Sequence, residues 1–493
     1  MRCKPGQVLF LLLFILVLVL PSAACQGGDA GSTIAFAYNS VREWFILQWA
    51  GDRIEKMRKG DAAVTIVDDN GVPVRQARVY FQQQKHDFLF GSNLTPLSRS
   101  PIGPGGVDRD WADAYIALFN YGTLPFYWDS YEPVKDQTAE KALKAMADWA
   151  TSKNITVKGH ALIWTEAVPP WAPPSAEQMQ TVLEKRVKDT VSSFCGIVDY
   201  WDVVNEPTSG APLNNPVGNW MNKETPSTAC SDALEWARSA CPKAILLIND
   251  YRTDQDFKDL LQNILRQRGR FDAIGIQSQM QRGNWPLYQV WDICERFKDF
   301  NVPIHFSEVS ILSGAPRTGI GNADQSADWP STAAGEAAQA EYAGKFYTLL
   351  FSHPSVQAIT WWDFSDEGAW QGAPSGLLRK DMSKKPAYDR LLALVRTKWW
   401  SVGNAYTGDD GRAVFRGFFG QYRLIVEKEG KRVEADVYLA RGLENKFQVQ
   451  LKDYQQPPMT PFLQTAWPYI AAAAVVVLAG FIINWVIKIR RRI

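Results

Sequence analysis

The amino-acid sequence predicts an α/β fold: a (β/α)8 TIM barrel over residues 85–396, small flanking β-rich pieces and one C-terminal transmembrane helix. Three observations carry the barrel. Eight short apolar runs alternate with amphipathic stretches between about residue 85 and residue 396, the order that builds a parallel sheet. That span exceeds the roughly 250 residues typical of a closed eightfold barrel. Glu206 and Glu308 close the fourth and seventh runs, and the carboxyl ends of barrel strands are where such a fold places its chemistry.

Along the chain, residues 1–24 read as a secretory signal. Arg2 and Lys4 precede an apolar run from Val8 to Leu20, and Ser22, Ala23 and Ala24 supply the small residues of a cleavage site. Cys25 follows, but Ser22 stands where a lipobox carries Leu, which argues against lipidation of Cys25. Residues 25–55 form a lead segment. Residues 56–84 hold a predicted hairpin, with alternation over 62–84 around the turn Asp69-Asn70-Gly71. The barrel strand runs are 87–93, 121–126, 157–164, 200–205, 244–250, 273–278, 303–308 and 358–364. Amphipathic stretches such as 140–151, 176–194, 256–268 and 337–351 separate them.

Residues 397–452 form a second β-rich module, a short meander over 412–451 with Glu429-Gly430 as a turn. The two β-rich pieces flank the barrel in sequence and are expected to pack together as a small sandwich beside its base. Their expected role is structural, since Phe418, Phe419 and Tyr422 are the few exposed-looking aromatics of the later piece. Residues 453–465, with Pro457, Pro458 and Pro461, read as a stiff spacer. Ala466 to Ile487 is apolar apart from Asn484, so residues 466–488 are long enough to span a bilayer. Trp467, Tyr469 and Trp485 suit its interfaces, and the basic tail 489–493, after Lys488, is expected on the cytoplasmic side. The expectation is a single-pass cell-membrane protein with its body outside.

Cys195, Cys230, Cys241 and Cys294 lie in that body, enough for two disulfides whose pairing the spacing leaves open. A net charge of +1 with both signs dispersed offers no footprint for nucleic acid. No metal-ligand cluster or phosphate loop stands out, and no cofactor is expected. Twenty Trp suit sugar faces only where they are positioned, since most Trp in a large domain are core.

The two glutamates bring in specific chemistry. A glycosidic bond breaks when its leaving oxygen is protonated while positive charge at the anomeric carbon is stabilised, which takes two carboxyls in different ionisation states. Glu206 ends Trp201-Asp202-Val203-Val204-Asn205-Glu206-Pro207, and Glu308 sits in His305-Phe306-Ser307-Glu308-Val309-Ser310. Further motifs are Gly159-His160-Ala161-Leu162-Ile163-Trp164, Asn249-Asp250-Tyr251, Gly275-Ile276-Gln277-Ser278, Trp362, Ser365-Asp366, Trp370 and Lys385-Pro386-Ala387-Tyr388-Asp389. In order and spacing the chain resembles glycoside hydrolase family 10, the retaining endo-β-1,4-xylanases. The resemblance implies a polysaccharide or oligosaccharide substrate, Glu206 as general acid and base, and Glu308 as nucleophile. It implies Asn205 on the sugar 2-hydroxyl, with His160, Trp164, Asn249, Tyr251, Gln277, Gln279, Trp362 and Trp370 as substrate-binding residues. A retaining pair is expected about 5 to 5.5 Å apart.

The departures from that family are as informative. A Glu-Asn pair and a Lys before a Trp hold the family's sugar on the non-reducing side of the cleavage point. Here the run is Thr123-Leu124-Pro125-Phe126-Tyr127-Trp128-Asp129. Thr165 replaces the family's His after the third-strand Trp, and Gln279 and Ser310 replace the His and Asp that orient the nucleophile. A Phe126-Tyr127-Trp128 cluster in place of polar ligands points to sugar held by stacking. The alternatives are therefore a retaining glycosidase on another β-linked glycan and a non-catalytic surface carbohydrate binder on the same barrel.

Overall fold

The structure is a computed structural model that describes residues 30–99, 108–209, 215–319 and 329–456. The expected signal, Cys25, the spacer beyond residue 456 and the apolar segment 466–488 lie outside the described residues. The strands, numbered in chain order, begin with β1 (Lys59–Val67) and β2 (Arg78–His86). The barrel strands follow as β3 (Leu89–Asn93), β4 (Tyr121–Pro125), β5 (Thr156–Trp164), β6 (Tyr200–Asn205), β7 (Ile245–Asp250), β8 (Ala273–Gln279), β9 (Ile304–Ser310) and β10 (Val356–Trp361). The last are β11 (Val402–Tyr406), β12 (Arg412–Phe418), β13 (Gly420–Lys428), β14 (Lys431–Leu439) and β15 (Asn445–Gln450).

Strands β3 to β10 form a closed barrel in sequence order, with β10 pairing back onto β3. Every pair is parallel because a helix-bearing crossover returns the chain to the same end of the sheet. Local sequence starts those helices. Ser175 accepts a hydrogen bond from the Gln178 backbone N–H ahead of helix Ala176–Ser193, and Thr332 does the same for Gly335 ahead of Ala333–Ser352. Outward side chains such as Leu246, Ile248, Ile274, Ile276 and Phe306 join the helices in one core. Inward positions are polar toward the carboxyl ends, among them His160, Asp202, Asn249 and Gln277.

Two register shifts set what the barrel mouth displays. Between β8 and β9, Ile276 pairs with Phe306 while Gln277 pairs with Glu308, so Ser307 is an extra residue. Ser307 and Glu308 thus both reach Asn249, which strict alternation forbids. A matching shift at Val203 in β6 lets Asp202 and Asn205 share the inner face.

Outside the barrel the sheets are β12-β1-β15 and β11-β2-β13-β14. The expected hairpin over residues 62–84 is corrected. The turn at Asp69-Asn70-Gly71 forms, with Asp68 Oδ1 accepting from the Asn70 and Val72 backbone N–H groups, but β1 and β2 then enter different sheets. The expected meander is corrected likewise: β13 and β14 pair across Glu429-Gly430, whereas β12 and β15 both pair with β1. The two sheets meet in a sandwich core where Phe81 stacks on Phe415 at 4.1 Å. Interdigitation of the two pieces buries more apolar surface than two separate ribbons. Phe418 and Tyr422 are buried, so they are not exposed aromatics.

The sandwich abuts the amino-terminal end of the barrel strands. Arg58 is buried there and donates to the carbonyls of Phe351, His353 and Val356 at 2.7, 2.6 and 2.7 Å. His86 is ringed by Phe90, Phe351, Trp400 and Phe418. Helices Ala30–Gln48 and Ala50–Met57 complete the lead segment; Arg42 pairs with Asp292 at 2.6 Å and Arg53 donates to Ser352. Of the four body cysteines, Cys195 and Cys241 form a disulfide, while Cys230 and Cys294 are buried thiols.

Arg58→Ala is expected to destabilise the protein by about 3 kcal/mol, because buried carbonyls lose donors that no water replaces. Denaturant unfolding checks this: an unchanged midpoint would remove Arg58 as the clasp between sandwich and barrel.

Candidate active site

Glu206 and Glu308 stand at the carboxyl ends of β6 and β9. Glu206 has a positive φ of 55°, a left-handed backbone that is costly for a residue preceding Pro207. Its backbone N–H is held by the Asn249 carbonyl at 2.7 Å. The loop beyond is pinned by Asp250, which accepts from the Thr208 backbone N–H at 3.0 Å and from the Thr208 hydroxyl at 2.8 Å. Strained backbone kept in place by its surroundings is a mark of a working site.

A continuous amide chain joins the two carboxyls. Gln277 Nε2 donates to Glu206 Oε1 at 3.0 Å and to Asn205 Oδ1 at 3.2 Å. Asn249 Nδ2 donates to the same Asn205 Oδ1 at 2.7 Å and to Glu308 Oε1 at 3.0 Å. Ser307 Oγ donates to Asn249 Oδ1 and fixes which way that amide points. Gln279 Nε2 reaches Glu308 Oε2 at 2.6 Å, and Trp164 Nε1 donates to Glu206 Oε2 at 3.2 Å. Space for this network depends on Gly275, where a Cβ would lie 2.1 Å from Asn249 Oδ1.

The carboxyls differ in charge state. Burial, then the charge of Glu308, pushes Glu206 up to about 7. Glu308 is also raised by burial, but His160, Lys158 and the Gln279 bond pull it back. The charge of Glu308 thus favours the protonated form of Glu206 beside it. Beneath them Lys158 Nζ and His160 Nδ1 both contact Asp202 Oδ2, at 2.6 and 2.7 Å. Burial alone would raise Asp202; Lys158 and His160 hold it at about 2 instead. His160 Nε2 faces Glu308 Oε1 at 3.8 Å, and Trp362 stands edge-on to the imidazole with ring centroids 5.4 Å apart.

The other expected residues divide by exposure. Asn249 is fully buried and Gln277 nearly so, so both act on the site through their bonds to Asn205, Glu206 and Glu308 rather than lining an open cleft. Asn205 Oδ1 is taken up by two amides, and Nδ2 donates one N–H to Glu206 Oε1 at 3.4 Å, which leaves its second N–H for a ligand. Tyr251 is exposed and stands on the rim, near Glu206 and Ser209. Trp370 is half-buried in the turn Trp370–Gly372 after β10.

The expected Phe126-Tyr127-Trp128 cluster is corrected to one residue. Phe126 packs in the core against Tyr131, Phe194 and Trp201, and Trp128 packs on Trp171. Tyr127 alone faces the site. Sequence reasoning passed over Lys158, Asp202 and Asp363. The first two carried a signal, as charged residues inside apolar barrel strands. Asp363 accepts from Ser375 Oγ at 2.9 Å, and burial pushes it up to about 7. Among the described residues no His, Cys, Asp and Glu group is arranged to hold a metal ion.

Comparison with known proteins agrees with this geometry. The anti-sigma-I factor RsgI6 of Acetivibrio thermocellus is 24% identical over 397 residues, which cover 78% of this chain and 47% of that protein. The chain thus spans about half the length of that relative. Endo-1,4-beta-xylanase B of Thermotoga neapolitana is 27% identical over 286 residues, covering 55% of this chain and 78% of that enzyme. Among solved structures, a GH10 protein from Paenibacillus barcinonensis superposes with a TM-score of 0.54 at 23% identity, covering 63% of this chain and 96% of that one. Native xylanase 10B from Thermotoga maritima gives 0.53 at 24%, with 63% and 96% covered. At those identities the likeness is one of fold. The family model for glycosyl hydrolase family 10 matches residues 126–394, more than half of the chain and both strand-end glutamates, and the protein belongs to that family.

Proposed function

We propose that the protein is a retaining endo-β-1,4-glycanase that cleaves xylan or its oligosaccharides. The observation that carries this reading is a pair of strand-end carboxyls, Glu206 and Glu308, joined through Gln277, Asn205 and Asn249, with burial and the charge of Glu308 raising Glu206 to about 7. Glu308 attacks the anomeric carbon and forms an ester. The bond to the leaving glycosyl oxygen breaks, and that oxygen takes the Glu206 proton. Ester formation removes the charge that raised Glu206, so its carboxyl falls toward the ordinary range and becomes the base for the second step. Water then gives a proton to Glu206 and attacks the anomeric carbon; the bond from that carbon to the Glu308 oxygen breaks, which frees Glu308 as a carboxylate with the original anomeric configuration restored. Asn205 Nδ2 is assigned to the sugar 2-hydroxyl.

The same proposal sets the barrel outside a cell membrane as a single-pass protein, anchored by residues 466–488 after export directed by residues 1–24. The Cys195–Cys241 disulfide supports an oxidising compartment. A second reading, a surface carbohydrate-binding protein, is favoured by one observation. Glu308 is braced by Gln279, which cannot titrate, where the family resemblance implies an orienting His. Covalent labelling of Glu308 by a 2-fluoro xyloside separates the two, because a binder needs no live nucleophile.

With xylan, glucan and mannan as substrates, the full-length chain is expected to release sugar from xylan, and Glu308→Ala to lower that rate by about three orders of magnitude or more. Release from glucan or mannan alone would replace the substrate, and undiminished release by the variant would remove Glu308 as nucleophile. kcat/KM should fall as pH rises through about 7, where free Glu206 loses its proton. Glu206 also links stability to pH. Its folded value of about 7 lies above the ordinary 4.5, so the stabilising effect of its protonated form is full below about 4.5 and is lost as pH rises through 7. Relative to wild type, Glu206→Gln should gain about 3 kcal/mol between pH 4 and pH 8 in denaturant unfolding, and a pH-independent difference would contradict the burial argument.

A further inference from the structure

Asp363 is a buried acid that the two-carboxyl chemistry does not use. It follows Trp362 directly after β10, and the backbone there is fixed on both sides of the barrel seam. The Trp362 N–H donates to the Val309 carbonyl of β9 at 2.8 Å, and the Trp362 carbonyl accepts from Asn93 Nδ2 of β3 at 2.6 Å. The Asp363 carboxyl accepts from Ser375 Oγ at 2.9 Å. Ser375 is itself fully buried, and its carbonyl takes the Trp361 indole N–H at 2.8 Å. The Trp370 backbone N–H is also directed at the carboxyl and, with Ser375, favours its charged form. One carboxyl thus joins the two ends of the segment 363–375 to the residue that carries its indole.

Other groups hold the outer side of that segment. Asp366 accepts from the Gly376 N–H and from Lys385 Nζ, each at 2.8 Å, and Lys385 Nζ also reaches Ser313 Oγ at 2.9 Å. Asp363 is the tie on the inner side, where the charge of Glu308 reaches it and its own charge reaches Tyr127. Gln371, next to Trp370, has a φ of 58°, a left-handed backbone that persists only where its surroundings enforce it. The main partners of Asp363 are a hydroxyl and an N–H rather than a cation, so keeping this acid dry costs free energy. A costly acid beside a strained turn at the barrel mouth is explained by what it holds in place.

We propose that Asp363 is a positioning residue: its carboxyl, shared between the Ser375 hydroxyl and the Trp370 N–H, closes the segment 363–375 on itself and fixes the Trp370 indole at the mouth before a sugar arrives. Two of its three attachments, residue 363 and Ser375, are anchored to β3, β9 and Trp361, so the group being positioned is Trp370. An indole already held in place loses no freedom on meeting a neutral ring, and that saving appears in kcat/KM. Asp363 touches no reacting atom in this scheme and acts through Trp370 alone. The proposal rests on the glycanase reading for the identity of the ligand.

The test is a double-mutant cycle on the full-length chain with 4-nitrophenyl β-xylobioside. Asp363→Ala and Trp370→Ala are each expected to lower kcat/KM about tenfold, and the doubly substituted chain to lose little more than either alone, because one residue acts through the other. Losses that multiply overturn the proposal. Asp363→Asn separates positioning from folding, since Asn keeps one oxygen for Ser375 but sets amide N–H groups against the Trp370 N–H. It is expected to unfold at the wild-type denaturant midpoint and still lose most of what Asp363→Ala loses; full kcat/KM in this variant overturns the assignment. The fall of kcat/KM above pH 7 should persist in Asp363→Asn, since Glu206 sets it, and its disappearance would make Asp363 a titrating participant instead. Labelling of Glu308 by the 2-fluoro xyloside reports on the glycanase reading separately. If wild type neither turns over nor labels, that reading fails, and the same cycle is read in calorimetric binding of xylotriose. Coupled weakening there supports the tie, and independent weakening removes it.

Discussion

The arrangement depends on one constraint: two carboxyls are held at the dry end of a closed barrel, where each needs partners and only one can remain ionised. Asn249 meets that constraint. Buried, with its amide direction fixed by Ser307, it donates at once to Glu308 and to Asn205, and Asn205 with Gln277 carries the link to Glu206. Every link is a neutral amide, so the network orients both acids without neutralising either. Charge is supplied from below, where Lys158 and Asp202 form a buried pair beneath His160. A buried pair of this kind adds little to stability but specifies one arrangement of the groups it touches.

Among the barrel's register shifts, two bear on the carboxyls directly. Extra residues at Val203 and Ser307 turn neighbouring side chains onto the inner face and let β6 and β9 present dense polar clusters at their ends. The cost of crowding there is offset at the opposite end. Arg58 satisfies three carbonyls, and an aromatic shell closes around His86 where the sandwich meets the barrel. The sandwich is thus a base plate, with its own core around Phe81 and Phe415.

Relative to the family pattern, the nucleophile is braced differently. Gln279 donates to Glu308 where a titrating partner is expected, so the brace keeps its strength over the whole pH range. Asp363 adds a third buried carboxyl beside the mouth, tied to Ser375, and burial holds it near 7. The pocket therefore has a neutral amide where the resemblance implies a titrating His, and a buried carboxyl at Asp363 that the motifs did not name.

Much of this was legible in the chain. Alternation of apolar runs with amphipathic stretches determined the barrel and placed all eight strands to within a few residues, because period-two and period-3.6 patterns are local properties. Strand ends located Glu206 and Glu308 for the same reason. Pairing partners were not legible. The turn at Asp69-Asn70-Gly71 forms as its residues require, yet β1 and β2 part into different sheets, since the choice rests on apolar faces supplied by β12 to β15 from more than 300 residues away. Nor did local pattern show that Phe126 and Trp128 would turn into the core while Tyr127 turned to the mouth. By itself the sequence determined which chemistry the chain carries and at which strand ends. Only the tertiary structure decided that Glu206 is raised to about 7, because burial and the charge of a neighbour exist only once β6 to β9 stand side by side.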